Sequence, residues 1–196
     1  MVKLNAAQLR KGTGNRGQVA GKKNEIYIIL DNVLDTYNIG SIFRLADAVA
    51  ARKIYLCGKT ETPPNHRIKK ASINTTEWVE WEYCETAVEA IKKAKSLWDC
   101  HPELVSGSES KIPKQVRNDK MGMVVVIEQN TKSVQYDKFE YKLPICLVVG
   151  NETYGVSKEV LEMADAIVEI PMFGVNISLN VMVSLGIVLY KIVEKN

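Results

Sequence analysis

The sequence predicts an α/β protein in which a mainly parallel sheet carries helices on both faces. Three observations predict it. Short apolar runs rich in β-branched residues stop at turn signals, as strands buried on both sides do. Segments with helical spacing alternate with those runs, which is the signature of β-α-β units. The length of 196 residues suits one domain.

The elements follow in order. Glu25–Leu30 (EIYIIL) is the first strand, ended by Asp31-Asn32. From Asn38 to Ala50, Ile42, Leu45, Ala46 and Val49 recur at helical spacing, with Arg44 and Asp47 off that stripe. Lys53–Cys57 is the next strand, and Val79–Tyr83 another. Glu85–Trp98 is an amphipathic helix, with Ala87, Val88, Ile91, Ala94 and Leu97 on one face and Lys92, Lys93 and Lys95 on the other. Met123–Ile127, Ile145–Val149 and Ala166–Ile170 are strands, the last stopped by Pro171. A final helix covers about 178–193.

Composition excludes several classes. The longest apolar stretch, Val181–Val193, is broken by Ser184, Gly186, Tyr190 and Lys191, short of the ~20 residues a membrane span needs. The N-terminus lacks an apolar signal core. A cytoplasmic protein is expected. Cys57, Cys84, Cys100 and Cys146 are dispersed, and His66 and His101 form no paired motif. Reduced thiols and no metal are therefore expected. Net charge is only +3, yet cations cluster. Arg10, Lys11, Arg16, Lys22 and Lys23 crowd the N-terminus, and His66, Arg67, Lys69 and Lys70 follow Pro63-Pro64. Each cluster alone is an ordinary solvated face; two beside one site would grip phosphates.

Two motifs are decoys. Gly12-Thr-Gly14-Asn-Arg-Gly17 spells GxGxxG but follows no strand. Gly150–Gly155 has a P-loop skeleton, but Val156 stands where a phosphate-binding Lys is required. Between Trp98 and Met123 lies a long stretch without period, with two prolines and two glycines. Residues 101–120 resemble the peptide encoded by palindromic repeat elements of some bacterial genes. We expect a surface insertion at about 100–120, with a basic RNA-gripping arm (Lys111, Lys114, Arg117, Lys120) as the alternative. The expected organisation is a basic extension over 1–24 and one domain over 25–196.

Three segments carry chemistry: Asn38-x-Gly40-x-x-x-Arg44; Leu147-Val-Val149-Gly150-Asn151-Glu152-x-x-Gly155-Val-Ser157; and Ile170-Pro171-Met172-x-Gly174-x-x-x-Ser178-Leu179-Asn180-Val181. Each ends a strand or opens a helix, and ligands of open α/β sheets sit beyond the carboxyl ends of strands. Singly, each has a plain structural reading. Gly40 could allow close packing of helix on strand, Asn38 and Ser178 could cap helices, and Asn180 could be solvated. Jointly, three polar, glycine-bearing segments at three strand ends exceed what folding requires.

Together the three segments resemble motifs 1, 2 and 3 of the SpoU (TrmH-like) family of RNA ribose methyltransferases in the SPOUT superfamily, over about Glu25–Val193. The resemblance implies an S-adenosylmethionine-binding domain, a C-terminal trefoil knot, and a homodimer with active sites at the interface. Neither knot nor dimer can be read from periodicity. It implies cofactor contacts at Gly150, Ile170 and Leu179, flanked by Val149, Asn151 and Met172. Catalytic roles fall on Arg44, Asn38, Glu152, Ser178 and Asn180. RNA, either tRNA or rRNA, is the implied substrate, and Arg10, Lys11, Arg16, Arg67, Lys69 and Lys70 are its expected contacts. The separate N-terminal substrate domain of some relatives is not expected. Rival readings are an inactive SPOUT-fold RNA-binding protein and a SPOUT enzyme that methylates a base.

Overall fold

The computed structural model describes residues 23–98 and 122–195. The N-terminal cations Arg10, Lys11 and Arg16, and the expected insertion at about 100–120, lie outside the described residues. In chain order the elements are β1 (Asn24–Asp31), α1 (Thr36–Ala48), β2 (Ala51–Cys57), α2 (His66–Ser72), β3 (Trp81–Cys84), α3 (Ala87–Trp98), β4 (Met123–Ile127), β5 (Val134–Gln135), β6 (Ile145–Gly150), α4 (Lys158–Met163), β7 (Ala166–Glu169) and α5 (Val181–Lys195). A single 3₁₀ turn, Thr75–Glu77, follows α2.

The strands form one seven-stranded sheet in the order β3-β2-β1-β6-β4-β7-β5, every pair parallel. Side chains alternate between two cores. Ile26, Ile28, Leu30, Leu147 and Val149 face Ile39, Ile42 and Phe43 of α1 and Leu185, Val188 and Leu189 of α5. Tyr27, Ile29, Tyr55, Cys146 and Val148 face Ala87, Ala90, Ile91 and Ala94 of α3 and Val160 of α4. Helices thus cover both faces, and the central strands are apolar at every position because both sides are dry.

Register decides where the loops gather. Asp31 at the end of β1 lies between Cys57 of β2 and Gly150 of β6. The loops after β1, β2 and β6 therefore leave the sheet from one row. Gly40 of α1 brings α2 close: a Cβ there would lie 2.6 Å from Ala71 Cβ and 2.7 Å from the Ile68 carbonyl oxygen. Its glycine serves helix-to-helix packing, not packing of helix on strand.

Several boundaries differ from the sequence expectation. The basic cluster at 66–70 forms most of α2, capped by Asn65, whose side chain accepts from the Arg67 and Ile68 N–H groups. With Ile68 as its one large buried apolar side chain, α2 is too short to show a period. α1 is capped by Asp35 rather than Asn38. The last helix begins three residues later than expected, after Asn180, whose Oδ1 accepts from the Met182 and Val183 N–H groups. Ser178 does not cap it. The short β5 and α4 carry too few apolar residues to have been seen in the sequence.

Candidate active site

A cleft of about 490 Å³ opens at the carboxyl ends of β4, β6 and β7. Its floor is Val149 and Gly150, and its sides are the loop 151–155 and the irregular segment that runs into α5. Ile170, Met172 and Leu179 line it, as do Asn151, Glu152, Ser178 and Asn180. All six residues expected to hold a cofactor and three of the five expected to act in chemistry thus share one cavity. Asn38 and Arg44 do not line it.

Asn38 is tied to it nonetheless. It is nearly buried, and its Nδ2 donates to Glu152 Oε1 at 3.0 Å. The Leu34 and Asp35 N–H groups also donate to the Glu152 carboxylate, each at 3.1 Å. Asn38 Oδ1 in turn accepts from Asn180 Nδ2 at 2.9 Å. Asn180 Oδ1 is engaged by the first N–H groups of α5. The orientation of each amide follows from this chain. A carboxylate can only accept, and a backbone N–H can only donate. The three sequence motifs are therefore joined by one line of hydrogen bonds, Glu152–Asn38–Asn180, spanning 142 residues of sequence.

The electrostatics of Glu152 reflect that line. Burial alone would raise its carboxyl, but donation from the Leu34 backbone, the Asn38 side chain and further backbone N–H groups outweighs it. The net effect holds the group below the ordinary carboxylate range. Glu152 is thus an anion fixed by three protein donors, suited to orienting rather than to proton transfer.

Gly150 owes its glycine to the loop itself. A Cβ there would run into the backbone of Gly155 and Val156, where Asn151 and Gly155 form a short bridge. Asn151 holds the turn from within, its Oδ1 accepting from the Thr153 and Tyr154 N–H groups and its Nδ2 donating to the Asn32 carbonyl.

Two carboxylates that the sequence did not single out secure the same loop. Asp31, 3 % exposed, accepts from the Ser157 N–H at 2.8 Å. Glu128, just after β4, accepts from the Val156 N–H at 3.1 Å. A polar pair ending a strand was the available signal for Asp31, but it reads equally as a turn. Nothing marked Glu128.

Arg44 is exposed on α1 and makes no hydrogen bond or ion pair among the described residues. Arg67, Lys69 and Lys70 are exposed on α2, with Lys69 3.5 Å from Glu77. Burial pushes the thiols of Cys57, Cys84 and Cys146 up, so none offers a thiolate at neutral pH. Among the described residues these three are free, no group of three His, Cys, Asp or Glu could hold a metal ion, and no helix is long and apolar enough to cross a membrane.

A parallel α/β sheet with helices on both faces and a cleft at its carboxyl edge is the arrangement in which open α/β sheets bind their ligands. The family is then specific: the model of the SpoU rRNA Methylase family matches residues 25–101 and 98–190, and the chain belongs to that family. It is 30 % identical over 171 residues to the tRNA (guanosine(18)-2'-O)-methyltransferase of Aquifex aeolicus, covering 87 % of this chain and 69 % of the relative. Against several other curated relatives the chain spans only 62–65 % of their length. The crystal structure of the A. aeolicus TrmH/SpoU tRNA modifying enzyme superposes with a TM-score of 0.69 at 27 % identity, covering 89 % of this chain and 76 % of that one. The AdoMet-bound rRNA methyltransferase of Sinorhizobium meliloti gives 0.68 at 27 %, covering 87 % and 56 %.

Proposed function

We propose that this chain transfers the methyl group of S-adenosylmethionine to a ribose 2′-hydroxyl of tRNA or rRNA. The observation that carries the reading is the hydrogen-bonded line Glu152–Asn38–Asn180 at the mouth of the cleft. It brings the family's three motifs into one constellation. The cofactor fits the cleft. Its volume lies within the roughly 300–1,000 Å³ of small-molecule sites, its walls at Ile170, Met172 and Leu179 are apolar, and Gly150, Asn151, Glu152, Thr153 and Gly155 line it as well.

S-adenosylmethionine supplies, when bound, an electrophilic methyl on a sulfonium. What the chain must supply is alignment of the attacking oxygen and stabilisation of the charge that develops on it. Arg44 is the group for that charge. Its guanidinium offers a rigid fork of donors to a phosphate and a hydroxyl. Glu152, Asn38 and Asn180 hold the α1 and α5 N-termini in fixed relation, and Ser178 offers a hydroxyl on the cleft wall.

The same reading includes a homodimer and the family's C-terminal trefoil knot. Apolar side chains remain exposed along the segment before α5 and on α5 itself: Phe173 at 94 %, Val175 at 100 % and Tyr190 at 54 %. Large apolar side chains left this exposed are candidates for an interface. Arg44, outside its own chain's cleft, would then act on a site to which a second copy contributes. Arg67, Lys69 and Lys70 on α2, with Arg10, Lys11 and Arg16, would grip RNA phosphates. An RNA substrate of this kind places the protein in the cytoplasm.

The test is incubation with labelled S-adenosylmethionine and separate tRNA and rRNA pools, then nuclease digestion and mass spectrometry of nucleosides. The expected product is a 2′-O-methylnucleoside. A base-methylated nucleoside, or no product from either pool, overturns the proposal.

A further inference from the structure

Glu128 immediately follows β4, the strand beside the one that carries the 150–155 loop. It lines the cleft with Gly150 and Gly155 and is half-buried. Its carboxylate is fixed from two sides: Oε1 accepts from the Gln129 N–H at 2.9 Å and Oε2 from the Val156 N–H at 3.1 Å. Gly155, at φ +69°, makes room for it, since a Cβ there would overlap Glu128 Oε2. An ionised carboxylate offers about four acceptor sites, and these bonds use two. Glu128 is therefore a preorganised acceptor with capacity to spare, on the wall of the cavity.

The other carboxylates of the cleft are placed differently. Glu152 already holds three donors from Leu34, Asp35 and Asn38. Glu169 ends β7, one strand further from β6. In dinucleotide-binding α/β sheets an acidic side chain about 20 residues after the glycine-rich turn accepts a hydrogen bond from a ribose hydroxyl. Glu128 comes before its glycine loop in the chain, but it puts the same acceptor on the cleft wall, at the end of the strand beside the glycine-loop strand. We propose that Glu128 recognises the cofactor, its carboxylate accepting hydrogen bonds from the vicinal ribose hydroxyls of the adenosyl moiety. This rests on reading the cleft as the S-adenosylmethionine site.

The test is calorimetric binding to the purified full chain, without RNA or turnover. The ligands are S-adenosylhomocysteine, 5′-methylthioadenosine and the 2′,3′-dideoxy form of the latter. Wild-type protein is expected to prefer methylthioadenosine over its dideoxy form by about tenfold to a hundredfold, the range for hydrogen bonds to a charged group. Glu128→Gln should remove most of that preference by weakening the diol ligand alone. The Gln carbonyl can still accept from the Val156 N–H, and an unchanged melting temperature would establish that the loop stays in place. An equal preference in wild type and Glu128→Gln overturns the assignment. So does an effect on S-adenosylhomocysteine with none on methylthioadenosine, because the carboxylate would then serve the α-ammonium. Wild-type protein that binds adenosyl ligands without distinguishing the dideoxy form also refutes it, whether or not the variant folds. Failure to bind any adenosyl ligand would instead refute the cofactor reading beneath it.

Discussion

Arg44 and Glu152 are both charged, yet their surroundings give them opposite tasks. Arg44 is exposed and uncommitted among the described residues, so its donors are available to a substrate. Glu152 is held by three donors of its own chain. Arg44→Ala is expected to lower methyl transfer by at least about 10²–10³-fold, the scale for losing one transition-state donor, while S-adenosylmethionine affinity measured by calorimetry stays near wild type. Arg44→Lys should fail as well, because a point charge lacks the fork. A turnover near wild type in either variant would sink the catalytic role. For Glu152, the carboxyl is held below its ordinary range in the fold. A depressed folded-state value means its contribution to stability is complete above the unfolded value and is lost as pH falls through the folded one. Glu152→Gln should therefore flatten the fall in melting temperature below about pH 4.3, the ordinary glutamate value, relative to wild type.

Two helices show how a single position can fix an element. In α1, replacing Gly40 by alanine would gain roughly 1 kcal/mol of helix propensity. The new Cβ, however, would sit 2.7 Å from the Ile68 carbonyl oxygen and 2.6 Å from Ala71 Cβ. Backbone cannot yield as a side-chain tip can, so a net loss of about 1–3 kcal/mol is expected from overpacking. Chemical denaturation checks it, and a stabilised Gly40→Ala would show that α2 is free to move. In α5, Asn180 both caps the helix and donates to Asn38. Asn180→Ala should cost about 0.5–2 kcal/mol for the lost cap, and lower kcat because Asn38 loses its orienting partner. Asn180→Asp separates the two effects. It keeps the cap acceptor but cannot donate to Asn38, so stability should recover while kcat does not.

At the scale of the molecule, the segment 99–121 joins ends that are already close. Gly122 packs so tightly on Trp98 that a Cβ would collide with the indole ring. Removing residues 100–120 is therefore expected to leave the melting temperature and methyl transfer close to wild type. A large loss of RNA affinity in a folded deletion protein would show instead that the segment grips substrate. The exposed apolar surface around α5 makes a second prediction. Wild-type protein should sediment as a dimer, and Tyr190→Asp should shift it toward monomer. A monomeric wild type would contradict the interface.

The sequence by itself determined the elements whose signals are local. β1, β4 and β6 were legible because both faces of a central parallel strand are dry, so the apolar run is continuous. α1 and α3 were legible through helical spacing, and the three motifs through their polar residues and glycines. The tertiary structure alone decided what depends on distant partners. α2 and α4 hold too little apolar surface to announce themselves, and α2 is defined by the notch at Gly40 against which it rests. Asn180 looked as though it could be solvated, and Ser178 like a cap. In the fold Asn180 caps α5, and its amide is also engaged by Asn38, 142 residues away. Glu128 carried no signal, because a glutamate after a strand becomes a cleft residue only when the register of β4 on β6 brings it beside Gly155. Local chemistry wrote the strands and motifs into the sequence; long-range register, which no local pattern encodes, joined them into one site.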